Sequence, residues 1–394
     1  METKTIRELC DIVVDCPHST PKWTTSGKIV IRNNNIKKGR IDFSSPSYTD
    51  DEHFNLRVKR AIPRSGDIII TREAPMGEVG MIPERIECCL GQRMVLLRTN
   101  PDICDNYYLL YSLQSKFVQH QISWSEGTGT TVSNLRIPHL EQLKIPYVPL
   151  KKQRLVASVL KSIEEKIILN EQINNNLLQQ ASSIFKAWFI DPDISEHEDW
   201  QMVTLEDITS LVTRGIAPKY SDKSDQIVIN QKCIRDHMLD LSPARKHLPK
   251  KINEKWLKKG DLLINSTGQG TLGRAAQIWF DPVNMTVDSH VTIVRPKNEK
   301  LIYYIGIWGI LHEREIESLH TGSTGQTELP RDRVKGLELL LPDENALDQF
   351  NSVVKPITEF IISNQNENIR LADLRDSLLP KLMSSEIDVS DINF

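Results

Sequence analysis

The 394-residue sequence lacks most marks of an enzyme, a secreted protein or a membrane protein. Its six cysteines (Cys10, Cys16, Cys88, Cys89, Cys104, Cys233) are scattered and form no C-x-x-C pair. This argues against a zinc site and a disulfide framework, and suits a reducing cytoplasm. The opening METKTIRELCDI has no signal-like apolar run, and no apolar stretch approaches membrane-spanning length. A cytoplasmic location is therefore expected. A phosphate-cradling Gly-Lys-Ser/Thr loop is missing. So are the Gly-rich turn and the Asn/Asp-Pro-Pro-Tyr/Phe motif that a methyltransferase needs. Gly268-Gln269-Gly270-Thr271-Leu272-Gly273 reads G-x-G-x-x-G, but a strand at Gln277–Phe280 follows it instead of a long helix, which excludes the dinucleotide reading. No carboxylate cluster suggests a metal site. Glu164-Glu165-Lys166 resembles part of one but lies mid-helix, where a solvated face explains it. No catalytic residue is assigned, and no metal.

Charge is balanced in sum, at -3, but not along the chain. Arg57–Arg64 and Arg245–Lys259 are basic, whereas Asp191–Asp199 and the C-terminal tail are acidic. A single charge run is usually a solvated face; two basic runs at similar places in two repeats suggest a polyanionic partner.

What the sequence has is length without interruption. From Lys151 to Phe189 there is no Gly or Pro, and Leu155, Val159, Ile163, Ile167, Ile173, Leu177, Ile184 and Trp188 recur with the period of one helix face. The pattern returns at Leu347, Phe350, Val354, Ile357, Ile361, Ile369, Leu371, Leu374 and Leu378. Both runs contain Asn, which on a paired seam fixes register and on the solvated flank does little. The two helices are expected to pair antiparallel.

The stretch before each helix is the same series of parts, said twice. An opening helix is expected at Thr5–Val13 and again at Val203–Val212. A Gly-Asp turn leads into an apolar strand at Gly66-Asp67-Ile68-Ile69-Ile70 and at Gly260-Asp261-Leu262-Leu263-Ile264. Strands Met94–Arg98 and Val291–Arg295 follow, then helices Tyr107–Gln121 and Leu301–Ser318. Framework residues agree between copies, while the loops differ, which suggests two related but different things being recognised.

At this level of detail the sequence resembles the specificity subunits of bacterial type I restriction-modification systems. The resemblance rests on Gly66-Asp67-Ile68-Ile69-Ile70-Thr71-Arg72-Glu73-Ala74-Pro75-Met76-Gly77-Glu78-Val79-Gly80 and Cys89-Leu90-Gly91-Gln92-Arg93. It extends through Leu143-Lys144-Ile145-Pro146, Gln153-Arg154, Ile184–Phe189 and Leu378-Leu379-Pro380-Lys381-Leu382-Met383, in the right order over nearly the whole chain. It implies a mixed α/β fold: two tandem globular target recognition domains, separated by two long antiparallel helices. The expected boundaries are 1–150 for the first domain, 151–190 for the central helix, 191–342 for the second domain, 343–380 for the C-terminal helix and 381–394 for an acidic tail.

The resemblance further implies that each domain reads one half of a bipartite, asymmetric site on double-stranded DNA. The helices would set the spacer and dock two methyltransferase (modification) subunits, which restriction subunits join. S-adenosylmethionine and ATP would belong to those partners and no cofactor to this chain, which would catalyse nothing. The competing reading is a structural adaptor that reads no DNA sequence. The second copy has no equivalent of Arg72-Glu73-Ala74-Pro75.

Arg, Lys, Asn and Gln read base edges best, and Ser and Thr suit phosphates. The first-copy candidates for DNA are Arg72, Glu73, Gln92, Arg93, Thr128, Thr130, Thr131, Ser133 and Asn134. Those of the second copy are Lys219, Asn265, Thr267, Gln269, Ser289, His290, Ser323, Thr324 and Gln326. Each has a bland alternative: Arg72 and Glu73 pairing with each other, Gln92 and Arg93 as framework hydrogen-bonders, His290 as a structural histidine. Trp23, Trp124, Trp256, Trp279 and Trp308 are expected in the core. On the helices, Leu155, Ile163, Ile167, Asn170, Leu177, Trp188, Phe350, Ile357, Ile361, Asn364, Leu371 and Leu378 are the candidates for partner docking.

Overall fold

The computed structural model describes residues 2–37, 39–124, 134–192, 197–248, 251–268, 270–322, 327–384 and 386–387. The chain divides into two compact units, one made of Met1–Ile168 with Asn368–Phe394 and the other of Leu169–Glu367. Each contains one complete α/β repeat and a segment of both long helices.

In the first unit a four-stranded antiparallel sheet runs in the order Cys10–Asp15, Met94–Thr99, Ile68–Thr71, Val79–Met81. A three-stranded sheet places Lys28–Ile31 between Ser47–Thr49, antiparallel, and Cys88–Leu90, parallel. The second unit repeats both sheets. Its four strands run Thr209–Arg214, Val291–Pro296, Leu262–Asn265, Ala275–Gln277. Its three-stranded sheet holds Ile227–Ile229 between Arg245–Lys246 and Met285–Val287. Ile68–Thr71 and Leu262–Asn265 are buried at every position, which is why they read as unbroken apolar runs and not as alternating strands.

The opening segments differ from expectation. Only Ile6–Leu9 is helical in the first copy, where Thr5 and Glu8 form a capping box, and Cys10–Asp15 is a strand. Ile12, Val13 and Val14 are β-branched, and they pair with Met94–Thr99 to complete the sheet. In the second copy a single 3-10 turn, Leu205–Ile208, precedes strand Thr209–Arg214. The expected helix Tyr107–Gln121 is two helices, Asn106–Gln114 and Lys116–Ser123, because Ser115 caps the second. Leu301–Ser318 likewise splits into Ile302–Leu311 and Glu313–Ser318. Of the tryptophans, Trp279 and Trp308 are buried as expected, but Trp23 and Trp124 are exposed.

Both long helices have 40 residues, Leu150–Phe189 and Glu344–Met383, or about 60 Å each at 1.5 Å per residue. Within each unit their segments run antiparallel. In the first unit Val156 and Leu160 cluster with Leu379, Leu382 and Met383, and Arg375 donates to Glu164 at 2.8 Å. In the second, Phe350 sits 5.8 Å from Phe185 and 5.1 Å from Phe189, ring centre to ring centre. Asn170, Asn174 and Asn364 are buried in the seam. Asn364 donates to Asn174 at 2.9 Å and Asn170 to Glu367 at 2.7 Å, which fixes the register the sequence left open. Gln153, fully buried, ties the first helix to its domain: its side chain accepts from the Asp105 N–H and donates to the carbonyls of Ile103 and Val148.

Among the described residues no helix is long and apolar enough to cross a membrane.

Candidate nucleic-acid interface

The Gly-Asp turn is framework. Gly66 and Gly260 adopt φ of 86° and 91°, which a side chain would resist. Asp67 accepts the Arg64 N–H at 2.8 Å and a two-pronged contact from Arg98 at 2.8 and 2.7 Å. Asp261 does the same with the Lys258 N–H and Arg295, all at 2.8 Å. These charge-assisted pairs lock the start of the central strand identically in both repeats.

The other end of that strand is where the copies diverge. Antiparallel pairing sets Thr71 opposite Met94 and Asn265 opposite Val291. Register therefore brings Arg72-Glu73 beside Gln92-Arg93, and Ser266-Thr267 beside Ser289-His290.

Arg72 does not pair with Glu73. It donates to Asp15 at 2.8 Å, the Leu135 carbonyl at 2.9 Å and Asn134 at 3.2 Å, so its guanidinium, and Asn134 with it, is engaged by the scaffold. Gln92 donates to the His18 carbonyl. Glu73 pairs instead with the exposed Arg93, 3.2 Å away. Asn265 is fully buried and donates to the Gln231 carbonyl at 3.1 Å. Thr267 lies 2.8 Å from Nδ1 of the exposed His290. Ser289 is half-buried, and Lys219 is exposed next to Tyr220, whose ring lies 3.7 Å from the Arg245 guanidinium. Burial raises the Asp288 carboxyl above the usual carboxylate range while it accepts the His290 N–H at 2.9 Å. Thr128, Thr130, Thr131, Ser133, Gln269, Ser323, Thr324 and Gln326 lie outside the described residues.

Two side chains at this rim escaped sequence reasoning. Asn33 donates to the Glu73 carbonyl at 2.7 Å, and the Gln231 side chain accepts from the Thr267 hydroxyl at 3.2 Å. Both sit on 3-10 turns, Asn33–Asn35 and Gln231–Cys233, that follow a short apolar strand. Aligning those turns between the copies would have found them. The first residue of the basic run Arg57–Arg64 is also framework. Arg57 is buried and donates to the carbonyls of Pro17, Ser19, Leu90 and Gly91.

The helix candidates for partner docking fall mostly inside. Ile167, Asn170, Phe350, Ile361 and Asn364 are buried, and Leu155, Ile163, Leu177, Trp188, Ile357, Leu371 and Leu378 are half-buried. Ile167, Asn170, Phe350, Ile361 and Asn364 are spent on the intrachain seam, since pairing two amphipathic helices uses the apolar stripe that defines them. The apolar side chains left in water are Leu169, Val353, Phe360, Ile369 and Leu374. All six thiols are buried, and burial pushes Cys10 and Cys88 up to about 12. Among the described residues no group of three His, Cys, Asp or Glu side chains could hold a metal ion.

Fold and rim together define a duplicated recognition scaffold: one framework built twice, carrying two different sets of polar side chains. The chain belongs to the type I restriction modification DNA specificity domain family, whose pattern matches residues 1–179 and 197–371. It is 24% identical over 403 residues to the type I restriction enzyme MjaIX specificity subunit of Methanocaldococcus jannaschii, covering 96% of this chain and 88% of that protein. The HindI specificity subunit of Haemophilus influenzae is 20% identical over 407 residues, with coverage of 84% and 88%. The crystal structure of the S subunit of a type I restriction-modification system from M. genitalium shares the fold, with a TM-score of 0.51 at 16% identity over 97% of this chain and 95% of that one.

Proposed function

We propose that each unit reads one half of a bipartite site on double-stranded DNA, and that the chain directs methyltransferase and restriction subunits to that site without catalysing a reaction itself. The observation that carries this reading is the pair of rims. Asp67–Arg98 and Asp261–Arg295 keep one geometry in both units, while the residues at the far end of the same strands differ. Rigid scaffolds with different loops are how one fold recognises two things.

In this reading the helix pair sets the unspecified spacer, and S-adenosylmethionine and ATP are held by the partner subunits. The surface for a methyltransferase subunit is the apolar pair left exposed on the second unit's segment of helix Glu344–Met383. Val353 and Phe360 are seven residues apart, hence on one helix face, and are 39% and 51% exposed. Helix-in-groove docking uses such anchors.

The test is methylome sequencing of a host expressing this chain with its modification gene. The expected result is a split methylated motif that disappears when this gene is deleted. An unchanged methylome, with the partner expressed and bound, supports a structural adaptor instead.

A further inference from the structure

Three positions in each unit are linked through the middle one and differ between the units at every position. In the first unit they are Asn33, Glu73 and Arg93, and in the second Gln231, Thr267 and His290. The places correspond: the 3-10 turn after the middle strand of the three-stranded sheet, the loop after the central strand, and the residue just before Met94 or Val291. Contact is kept while chemistry is exchanged. A purely structural cluster would keep its chemistry, as Asp67–Arg98 and Asp261–Arg295 do.

We propose that these are the base-reading positions, with Arg93 reading a guanine in one half-site and Gln231 with His290 reading an adenine in the other. The inference rests on the DNA-reading function above and assigns its specificity-determining residues.

Arg93 is built to present its fork. Its φ is +65°, a conformation that non-glycine residues rarely hold and that clusters at functional sites. Its side chain is 54% exposed, and Glu73 engages Nε at 3.2 Å. Among the described residues the two Nη nitrogens have no partner, and they match the O6 and N7 acceptors of guanine. On the other side of Glu73, Oδ1 of Asn33 is buried and has no partner among the described residues, so an acceptor waits there for a donor from a base or a bridging water.

The second set has a hydrogen-bond direction. The Thr267 hydroxyl donates to Oε1 of Gln231 at 3.2 Å, so its oxygen accepts from His290 at 2.8 Å. His290 therefore carries a proton on Nδ1, and in the neutral tautomer so defined Nε2 is the acceptor. Gln231 retains its amide nitrogen as a donor. A donor beside an acceptor matches N7 and the N6 amine of adenine in the major groove.

The experiment uses the chain in complex with its modification subunits. The motif is read from the methylome, and affinities are then measured for duplexes substituted at every position of both half-sites. Arg93→Ala should lose a preference for guanine at one position of one half-site, by roughly 5- to 150-fold, and Arg93→Lys should lose part of it. The other half-site should be unchanged. His290→Ala and Gln231→Ala should relax one adenine in the other half-site only. Lys keeps the charge but not the fork, so a uniform loss on all duplexes with Arg93→Ala, restored by Arg93→Lys, would assign a phosphate contact and overturn the proposal. So would wild-type preferences in variants that melt and co-purify like the wild type. A wild-type complex that discriminates among no duplexes would instead sink the DNA-reading function itself.

Discussion

Arg72 and Arg214 bring a guanidinium to the same place in the two repeats from different strands. Arg72 leaves the end of Ile68–Thr71 and donates to the Leu135 carbonyl at 2.9 Å and to Asp15 at 2.8 Å. Arg214 stands where Asp15 stands, opposite the second residue of the neighbouring strand, and donates to the Leu329 carbonyl at 2.7 Å and to Glu328. Leu135 and Leu329 correspond, since their N–H groups bond to the carbonyls of Arg72 and Ser266.

Replacing Arg72 with Ala removes a pair whose side chains are only 11% and 13% exposed. Asp15 is then left with only the exposed His18, 3.0 Å away, which should cost the first unit about 3 kcal/mol. Building the second repeat's solution, Asp15→Arg with Arg72→Ser and Asn134→Glu, should recover part of that loss. Chemical denaturation of the three proteins checks both the loss and the recovery. A triple variant no more stable than Arg72→Ala would show that the two arrangements are not interchangeable.

The buried Asn174–Asn364 bond predicts an asymmetric double-mutant cycle. Asn364→Leu alone leaves the Asn174 side chain without its 2.9 Å partner and should destabilise the second unit by about 2 kcal/mol. Asn174→Leu with Asn364→Leu should recover most of it, because two apolar residues need no partner. Equal and additive losses in urea unfolding would contradict a direct bond.

His237 ties a turn to helix Glu313–Ser318. Its Nδ1 lies 3.2 Å from Glu313, whose hydrogen bond raises the imidazole pKa above 6.5 against the opposing effects of burial and Arg274; Asp236 adds to the rise. A raised pKa in the folded state means stability fully present below about pH 6.5 and lost as pH climbs through the raised value. Because the ring is more than a third exposed, the change should stay below about 1 kcal/mol. His237→Gln should flatten this part of the stability–pH curve. An unchanged curve would remove His237 as its source.

Phe350 is buried and Phe360 exposed on one helix, which lets folding and the proposed docking be tested apart. Phe350→Ala should destabilise the second unit by about 3–5 kcal/mol, since the ring is fully buried among Phe185, Trp188 and Phe189. Phe360→Ser should change stability little but weaken association with the modification subunit. Calorimetric melting and co-purification read the two effects; intact association with Phe360→Ser would place docking elsewhere.

The duplication and the long helices were legible because they rest on signals that survive local detail: a 194-residue offset between matching runs, and a stripe of apolar residues at helical spacing. The strand Cys10–Asp15 was missed because Ile6, Leu9 and Ile12 happen to fit helical spacing too, and only pairing with Met94–Thr99 decides between the periods. At the rim, residue type pointed to Glu73, Arg93, Thr267 and His290, but Asn33 and Gln231, which bond to Glu73 and Thr267, arrive from 40 and 36 residues away. The scaffold contacts of Arg72 were hidden for the same reason: Asp15, 57 residues earlier, is invisible to local reading. Helix periodicity marked the buried seam correctly, yet it also swept in Ile369 and Leu374, which stand 61% and 46% exposed.

The second unit is one continuous stretch, Leu169–Glu367, while the first is assembled from the two pieces that flank it. A gene with that layout can be rewritten like a sentence with a parenthesis. Two crossovers, one near codon 168 and one near codon 368, would import a whole foreign unit with its core and its own half of the seam. The residues at both joints are helical, so a cassette in frame needs only to continue two helices. On the function proposed above, a new target preference would then arrive with a single exchanged unit.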